Sequence, residues 1–340
     1  MSQKIKKLFT KSKYRLNSSN TENVSDWEDI QNVTLRSKHY SHDDTYLTES
    51  EDEIVRRRHE RHSFPLESQI IQNTENDSRD DGSPFVTDWF LYFTNGQLKL
   101  SFNDLFDALI DGIRKEGQLR SESELNKILN DLIDIKTDDS IKSEDKRMKQ
   151  LEEACAKLYT KTSFLFEVVN RTLRDSDRSK LTSLGPYCFL VYNYIGSQIP
   201  KYTLIQRYIG RIGNSTQSSS IVVYRGCGAT MGLINGYRQA AGQKDKYFKW
   251  LSFVSTSLDE NVAKTFIYNV LYEIKLHQKA SNDQFANLEN ISYHVDEREI
   301  LLRPGVRFRV SRVETIETDK VKDITKIYIS IVPSFISRLM

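Results

Sequence analysis

The chain has 340 residues, 38% hydrophobic and 28% charged, which is enough apolar material for one or two buried cores. Its 49 basic and 47 acidic residues leave a formal charge of +2, so the balance implies neither a nucleic-acid nor a membrane-surface partner. Three scattered cysteines, Cys155, Cys188 and Cys227, form no Cys-x-x-Cys pair and no disulfide framework, the usage of a reduced, intracellular protein, here expected in the cytoplasm.

The first stretch, MSQKIKKLFTKSKYRLNSS, is basic and has no apolar run of the kind a secretory signal needs. No segment of the chain approaches the roughly 18 consecutive apolar residues of a membrane span. Residues 1–84 are rich in Ser, Asn, Asp, Glu and Arg and show neither a strand nor a helix period. Such a composition cannot offset its ordering entropy, so a disordered polar tail is expected there. The tail holds His39, His42, His59 and His62 without a cysteine nearby, and no metal site is expected from them.

Residues 85–220 read as a helical subdomain. Ser121 and Glu124 have the spacing of a capping box. Leu125, Ile128, Leu129, Leu132 and Ile133 then follow the spacing of one buried helix face. Met148, Leu151, Cys155 and Leu158 make a second stripe, and a denser apolar helix is expected to enter through Gly185-Pro186. Cys155 and Cys188 fall on these stripes as core residues rather than nucleophiles.

Residues 221–340 change texture to short runs rich in Val, Ile, Tyr and Phe: 221–224, 250–257, 269–276, 299–305, 306–313 and 324–332. The fold class is therefore α+β, a helical subdomain followed by a β-rich one.

Three features of the β half can carry chemistry. Tyr224-Arg225-Gly226 closes an apolar strand, where an arginine fork can face a cleft and glycine lets a ligand near the backbone. Ser255-Thr256-Ser257 ends the run WLSFV and continues an apolar face with hydroxyls. Glu297 and Glu299 flank Arg298 just before the apolar run ILL. On an extended backbone both carboxylates point to one side and repel, a cost that a cation-binding site would use. Taken singly, each has a plain reading: a surface ion pair, a strand running into solvent, an exposed edge.

Taken in order, the triple resembles the Arg-Ser-Glu class of mono-ADP-ribosyltransferases, in its arginine-directed eukaryotic branch. The likeness runs from LYTKTSFLFEVVNRTLR (158–174) through WLSFVSTSLDENVAKTF and FANLENISYHVDEREILLRPGVRFRV to about residue 332. It implies a mixed two-sheet β fold and NAD as substrate, with no metal.

It also implies residue roles. Tyr224, Arg225, Gly226, Ser255, Thr256 and Ser257 would line the cofactor site, Arg225 on the phosphates and the Gly226 backbone on the nicotinamide amide. Ser255 would orient the ribose and the catalytic Glu299. Glu297 would select arginine on a target protein, and the stretch before it would be a mobile loop that meets that target. Cys227 is read as packing and His294 as a loop residue rather than a base. The competing readings are an NAD glycohydrolase and a silent module that binds NAD or a protein.

Overall fold

Helix starts in the first half are written in short polar residues. Ser83 Oγ accepts from Val86 N ahead of Pro84 at the first position of α1 (Pro84–Thr94). Ser101 does the same for α2 (Phe102–Gly117). The chain continues through α3 (Glu122–Thr137), α4 (Glu144–Thr160), α5 (Phe164–Arg174), a 3-10 turn at Arg178–Lys180 and α6 (Leu181–Ser197). The computed structural model describes residues 68–72, 82–97, 100–118, 122–137, 143–197, 220–277, 284–316 and 323–332.

The helical stripes are buried as their spacing predicts. Ile128, Leu129, Leu132, Met148, Leu151, Cys155, Leu158 and Cys188 belong to one apolar cluster, with Leu125 and Ile133 packed against it. Ser121, the other half of the expected capping box, lies outside the described residues; Glu124 Oε1 accepts from Phe164 N at 2.9 Å, capping α5 across the bundle. One expectation needs correction. Helix α6 begins at Leu181, not at Gly185-Pro186, so Pro186 sits inside it. Gly185 has a packing reason: an added Cβ would fall 2.1 Å from Trp89 Cδ1.

Among the described residues there are nine strands, β1 (Ser68–Gln72) ahead of the helices and, after them, β2 (Ser220–Cys227), β3 (Lys246–Trp250), β4 (Val254–Ser257), β5 (Val270–His277), β6 (Phe285–Asn287), β7 (Glu299–Leu302), β8 (Arg307–Ile316) and β9 (Ile324–Ile331). Helices α7 (Met231–Ala240) and α8 (Glu260–Lys264) interrupt them. The sheet order is β1-β3-β8-β9-β5-β2-β4-β7-β6, mixed because β5 runs parallel to β9. Strand β1 pairs with β3 within the stretch expected to be tail; the rest of residues 1–81, with the four tail histidines, lies outside the described residues.

The run 250–257 is two strands, not one. Trp250 ends β3, which pairs with β8, whereas Val254 begins β4, which pairs with β7. Leu251–Phe253 therefore carry the chain from one part of the sheet to another. This explains how the expectation of two sheets is modified. One ladder order links all strands, but β2 and β4 share a single registered pair, Tyr224 with Ser257, against eight between β2 and β5. The sheet is nearly parted along that line.

The core is divided at the same place. Phe253, Ala286, Leu288 and Leu301 join the helical cluster. Val254, Ile300 and Leu302 face the other way, into a second cluster with Ile234 and Tyr237 of α7 and the rings of Phe248, Trp250, Tyr272 and Phe308. Alternation at period two thus holds through β4 and β7, and both of their faces are buried.

Candidate active site

The three sequence features meet at the parting of the sheet. Tyr224 stands abreast of Ser257, and Ser257 abreast of Glu299, on the neighbouring strands β2, β4 and β7. Neighbouring strands lie about 4.8 Å apart, so two steps bring the backbones of β2 and β7 within about 10 Å. Residues 75 positions apart in sequence are thereby gathered on one short line.

Arg225 crosses the gap that the missing pairs leave. It is buried, and its Nη1 donates to the carbonyl oxygen of Ser255 at 2.7 Å. A guanidinium thus serves a β4 carbonyl that a longer β2–β4 ladder would have paired. A charged donor makes this bond stronger than an ordinary amide bond and ties Arg225 to the strand of Ser255. Behind it, Tyr272 is the register partner of Arg225 on β5. Burial, with Tyr237 alongside, pushes its phenol well above the usual tyrosine range, while the Arg225 charge opposes that shift.

Gly226 follows in a tight place. A Cβ there would lie 2.2 Å from the Ala263 carbonyl oxygen and 2.8 Å from Ile267 N, so the segment from α8 to Ile267 packs directly on its Cα. Tyr224 points toward other chemistry: burial and then Glu273 and Glu260 raise its phenol, and Lys326 bridges those two carboxylates at 2.9 and 3.5 Å. Cys227 is buried in the second cluster, in keeping with a packing role.

The hydroxyls of β4 hold the glutamate segment. Thr256 Oγ1 donates to Ile300 O at 2.7 Å. Ser257 Oγ donates to Glu297 O at 2.7 Å and accepts from Asp259 N at 2.9 Å. Leu258 N donates to Arg298 O at 3.2 Å. Thr256 and Ser257 therefore spend a bond each on the main chain beside Glu299 and Glu297.

The assumption of an extended backbone through 297–299 is corrected. Glu297 ends a 3-10 turn, Val295–Glu297, and Arg298 is left-handed at φ 46°. Strand β7 begins only at Glu299. The break is where the turn's last carbonyls give way to the β4–β7 ladder, and it lets the two carboxylates depart from simple alternation. Both glutamates are 0% exposed. Carboxylates are almost never buried so completely unless they are paired or hydrogen-bonded, so the fold bears a cost to keep two of them here.

Two elements of the site had no signal in the sequence. One is the Ser257–Glu297 bond. The other is the anchoring of residues 292–294, where Tyr293 N donates to Thr160 Oγ1 at 3.0 Å and the His294 ring lies 3.1 Å from Thr162 Oγ1. Partners 40 positions away in the first case and more than 130 in the second leave no trace in local spacing. Within the stretch expected to be a mobile loop, residues 285–287 form β6 and Tyr293 and His294 make these bonds, while residues 278–283 lie outside the described residues.

This geometry falls within a segment with a known pattern. Residues 198–332 match the family model described as ADP-ribosyltransferase exoenzyme. The match covers under half of the chain and spans Arg225, Ser255, Glu297 and Glu299 together. No curated relative matches the chain.

Among solved structures, the ADP-ribosyltransferase toxin Plx2a from Paenibacillus larvae is 18% identical over 66% of this chain and 96% of its own, at a TM-score of 0.39. Exoenzyme S from Pseudomonas aeruginosa, in complex with human 14-3-3 protein beta and bound to Carba-NAD, is 16% identical over 66% and 88%, at 0.37. The type III effector XopAI from Xanthomonas axonopodis pv. citri is 18% identical over 77% and 95%, at 0.42. Among the described residues no group of three or more His, Cys, Asp or Glu side chains could hold a metal ion, and no helix is long and apolar enough to cross a membrane.

Proposed function

We propose that the chain transfers ADP-ribose from NAD to the guanidinium of an arginine on a target protein and releases nicotinamide. The observation that carries this reading is the alignment of Tyr224, Ser257 and Glu299 across the nearly parted strands, with Arg225 bonded into β4. Its match to the exoenzyme family over 198–332 supports the transferase class; the pair Glu297 and Glu299 supports arginine as acceptor.

The chemistry suits these groups. The bond broken joins ribose C1′ to the pyridinium nitrogen of NAD, whose electron pair returns to the ring, so nicotinamide leaves neutral without a general acid. This differs from ordinary glycoside hydrolysis, in which one carboxylic acid protonates the leaving group. The ribosyl centre acquires oxocarbenium character, and the Glu299 carboxylate, held by β7, supplies fixed negative charge for it. Arg225 supplies guanidinium charge to the phosphates, and Ser255 orients the ribose and Glu299. The guanidinium nucleophile is protonated at any physiological pH, so Glu297 binds it and accepts the proton released as the new C1′–N bond forms.

The test is labelled NAD with and without agmatine, a small guanidine. Labelled agmatine together with free nicotinamide is expected. Nicotinamide release without labelled agmatine would establish a glycohydrolase or another acceptor instead. NAD binding by calorimetry without turnover would establish a silent binding module.

A further inference from the structure

The residue that leads into the 3-10 turn of Glu297 is held by the helical half of the protein. Tyr293 donates its main-chain N–H to Thr160 Oγ1 at 3.0 Å and its phenol to Asp131 Oδ2 at 3.2 Å. The ammonium groups of Lys157 and Lys161 stand 5.1 and 5.3 Å from the centre of its ring. Lys161 also pairs with Asp131 Oδ2 at 3.0 Å, which closes a ring of contacts around the tyrosine. His294 adds its ring contact to Thr162 Oγ1. These partners come from α3, from the last turn of α4 and from the residues just after it.

The two glutamates therefore have different supports. Glu299 is built into the sheet, abreast of Ser257 on β4, in a strand that also pairs with β6. Glu297 sits on a turn fixed at its far end by Ser257 and at its near end by the Tyr293 contacts. Each contact is modest, since exposed ion pairs and exposed cation–π pairs are weak. Acting on two consecutive residues, they choose the path of the turn.

We infer that Tyr293 is a positioning residue for Glu297, held by Asp131, Lys157 and Lys161, so that the helical half governs the acceptor step while the sheet governs the donor step. This rests on the transferase reading above. The clamp is not the same as a contact between Tyr293 and a target protein, because it acts on an acceptor too small to reach the helices. The phenol is a donor at neutral pH, as an ordinary tyrosine is, and burial and then Asp131 push its pKa further up, to about 12.

The test uses the full chain with Asp131→Ala, Tyr293→Phe and Lys161→Met, and Lys161→Arg as the conservative variant. Agmatine transfer and NAD hydrolysis are measured in parallel, with exchange of the Tyr293 amide. Given contacts of this strength, transfer relative to hydrolysis should fall about three- to tenfold in Asp131→Ala, with a raised KM for agmatine. The kcat of hydrolysis should hold, the amide should exchange faster, and Lys161→Arg should behave as wild type. An unchanged ratio in Asp131→Ala and Tyr293→Phe, or an equal fall of both activities, would overturn the inference alone. A wild type that does not turn over NAD would overturn the transferase reading, and the inference with it.

Discussion

Gly226→Ala separates a packing role for this glycine from a ligand role. The sequence suggests that Gly226 is kept bare for a cofactor, but the structure gives an earlier constraint. The new Cβ would lie 2.2 Å from the Ala263 carbonyl, 2.8 Å from Ile267 N and 2.9 Å from Ile267 Cγ1. Two of these atoms are backbone, so no rotamer change relieves them. The segment 263–267 must retreat by roughly 1 Å to reach an ordinary non-bonded separation.

Overpacking of this kind costs about 1–3 kcal/mol. Replacing glycine returns about 0.4–1 kcal/mol by restricting the unfolded chain. The net loss of about 1–2 kcal/mol corresponds to a fall in Tm of about 2–8 °C for a domain of this size. Gly236→Ala is the matched control: it lies inside α7 with nothing within 4 Å of its added Cβ, and should gain about 0.5–1 kcal/mol. Both are read by thermal melts without NAD. A Gly226→Ala protein that melts at or above wild type would refute the packing argument and return the glycine to a ligand role.

Two further predictions concern the glutamate turn. Ser257→Ala removes the bonds to Glu297 O and from Asp259 N, and should cost about 1–3 kcal/mol in a urea titration; a loss below the error of the titration would show that the turn holds itself. Tyr293 has its pKa raised in the fold, so the unfolded chain gives up its proton first as pH rises. Its stabilising contribution is therefore intact below about 10, the ordinary tyrosine value, and declines as pH approaches about 12. The difference in Tm between wild type and Tyr293→Phe should be flat from pH 6 to about 9 and shrink above about 10; a difference that grows there would contradict the assignment.

Much of the fold was legible because it is local. Leu125 to Ile133 and Met148 to Leu158 mark their buried faces by spacing alone, and Val, Ile and aromatic runs mark most of the strands. The break at Leu251–Phe253 was not legible, since WLSFVSTS reads as one apolar run and only the competing partners β8 and β7 divide it. Strand β6, three residues long, is too short to show a period.

At the candidate site, three motifs in order, holding the four residues Arg225, Ser255, Glu297 and Glu299, stood out in the sequence. The left-handed Arg298 did not, because nothing in Glu-Arg-Glu distinguishes a turn from a strand entry. The clamp on Tyr293 was also invisible, because Asp131 is 162 positions away from it.

The central claim is that one glutamate serves the donor and the other the acceptor. It is tested most directly by labelled NAD with agmatine on wild type, Glu297→Gln and Glu299→Gln, after melts show that both variants fold. The account predicts transfer by wild type, hydrolysis with little transfer by Glu297→Gln, and neither by Glu299→Gln. Full transfer by Glu297→Gln, or undiminished NAD turnover by Glu299→Gln, would contradict it.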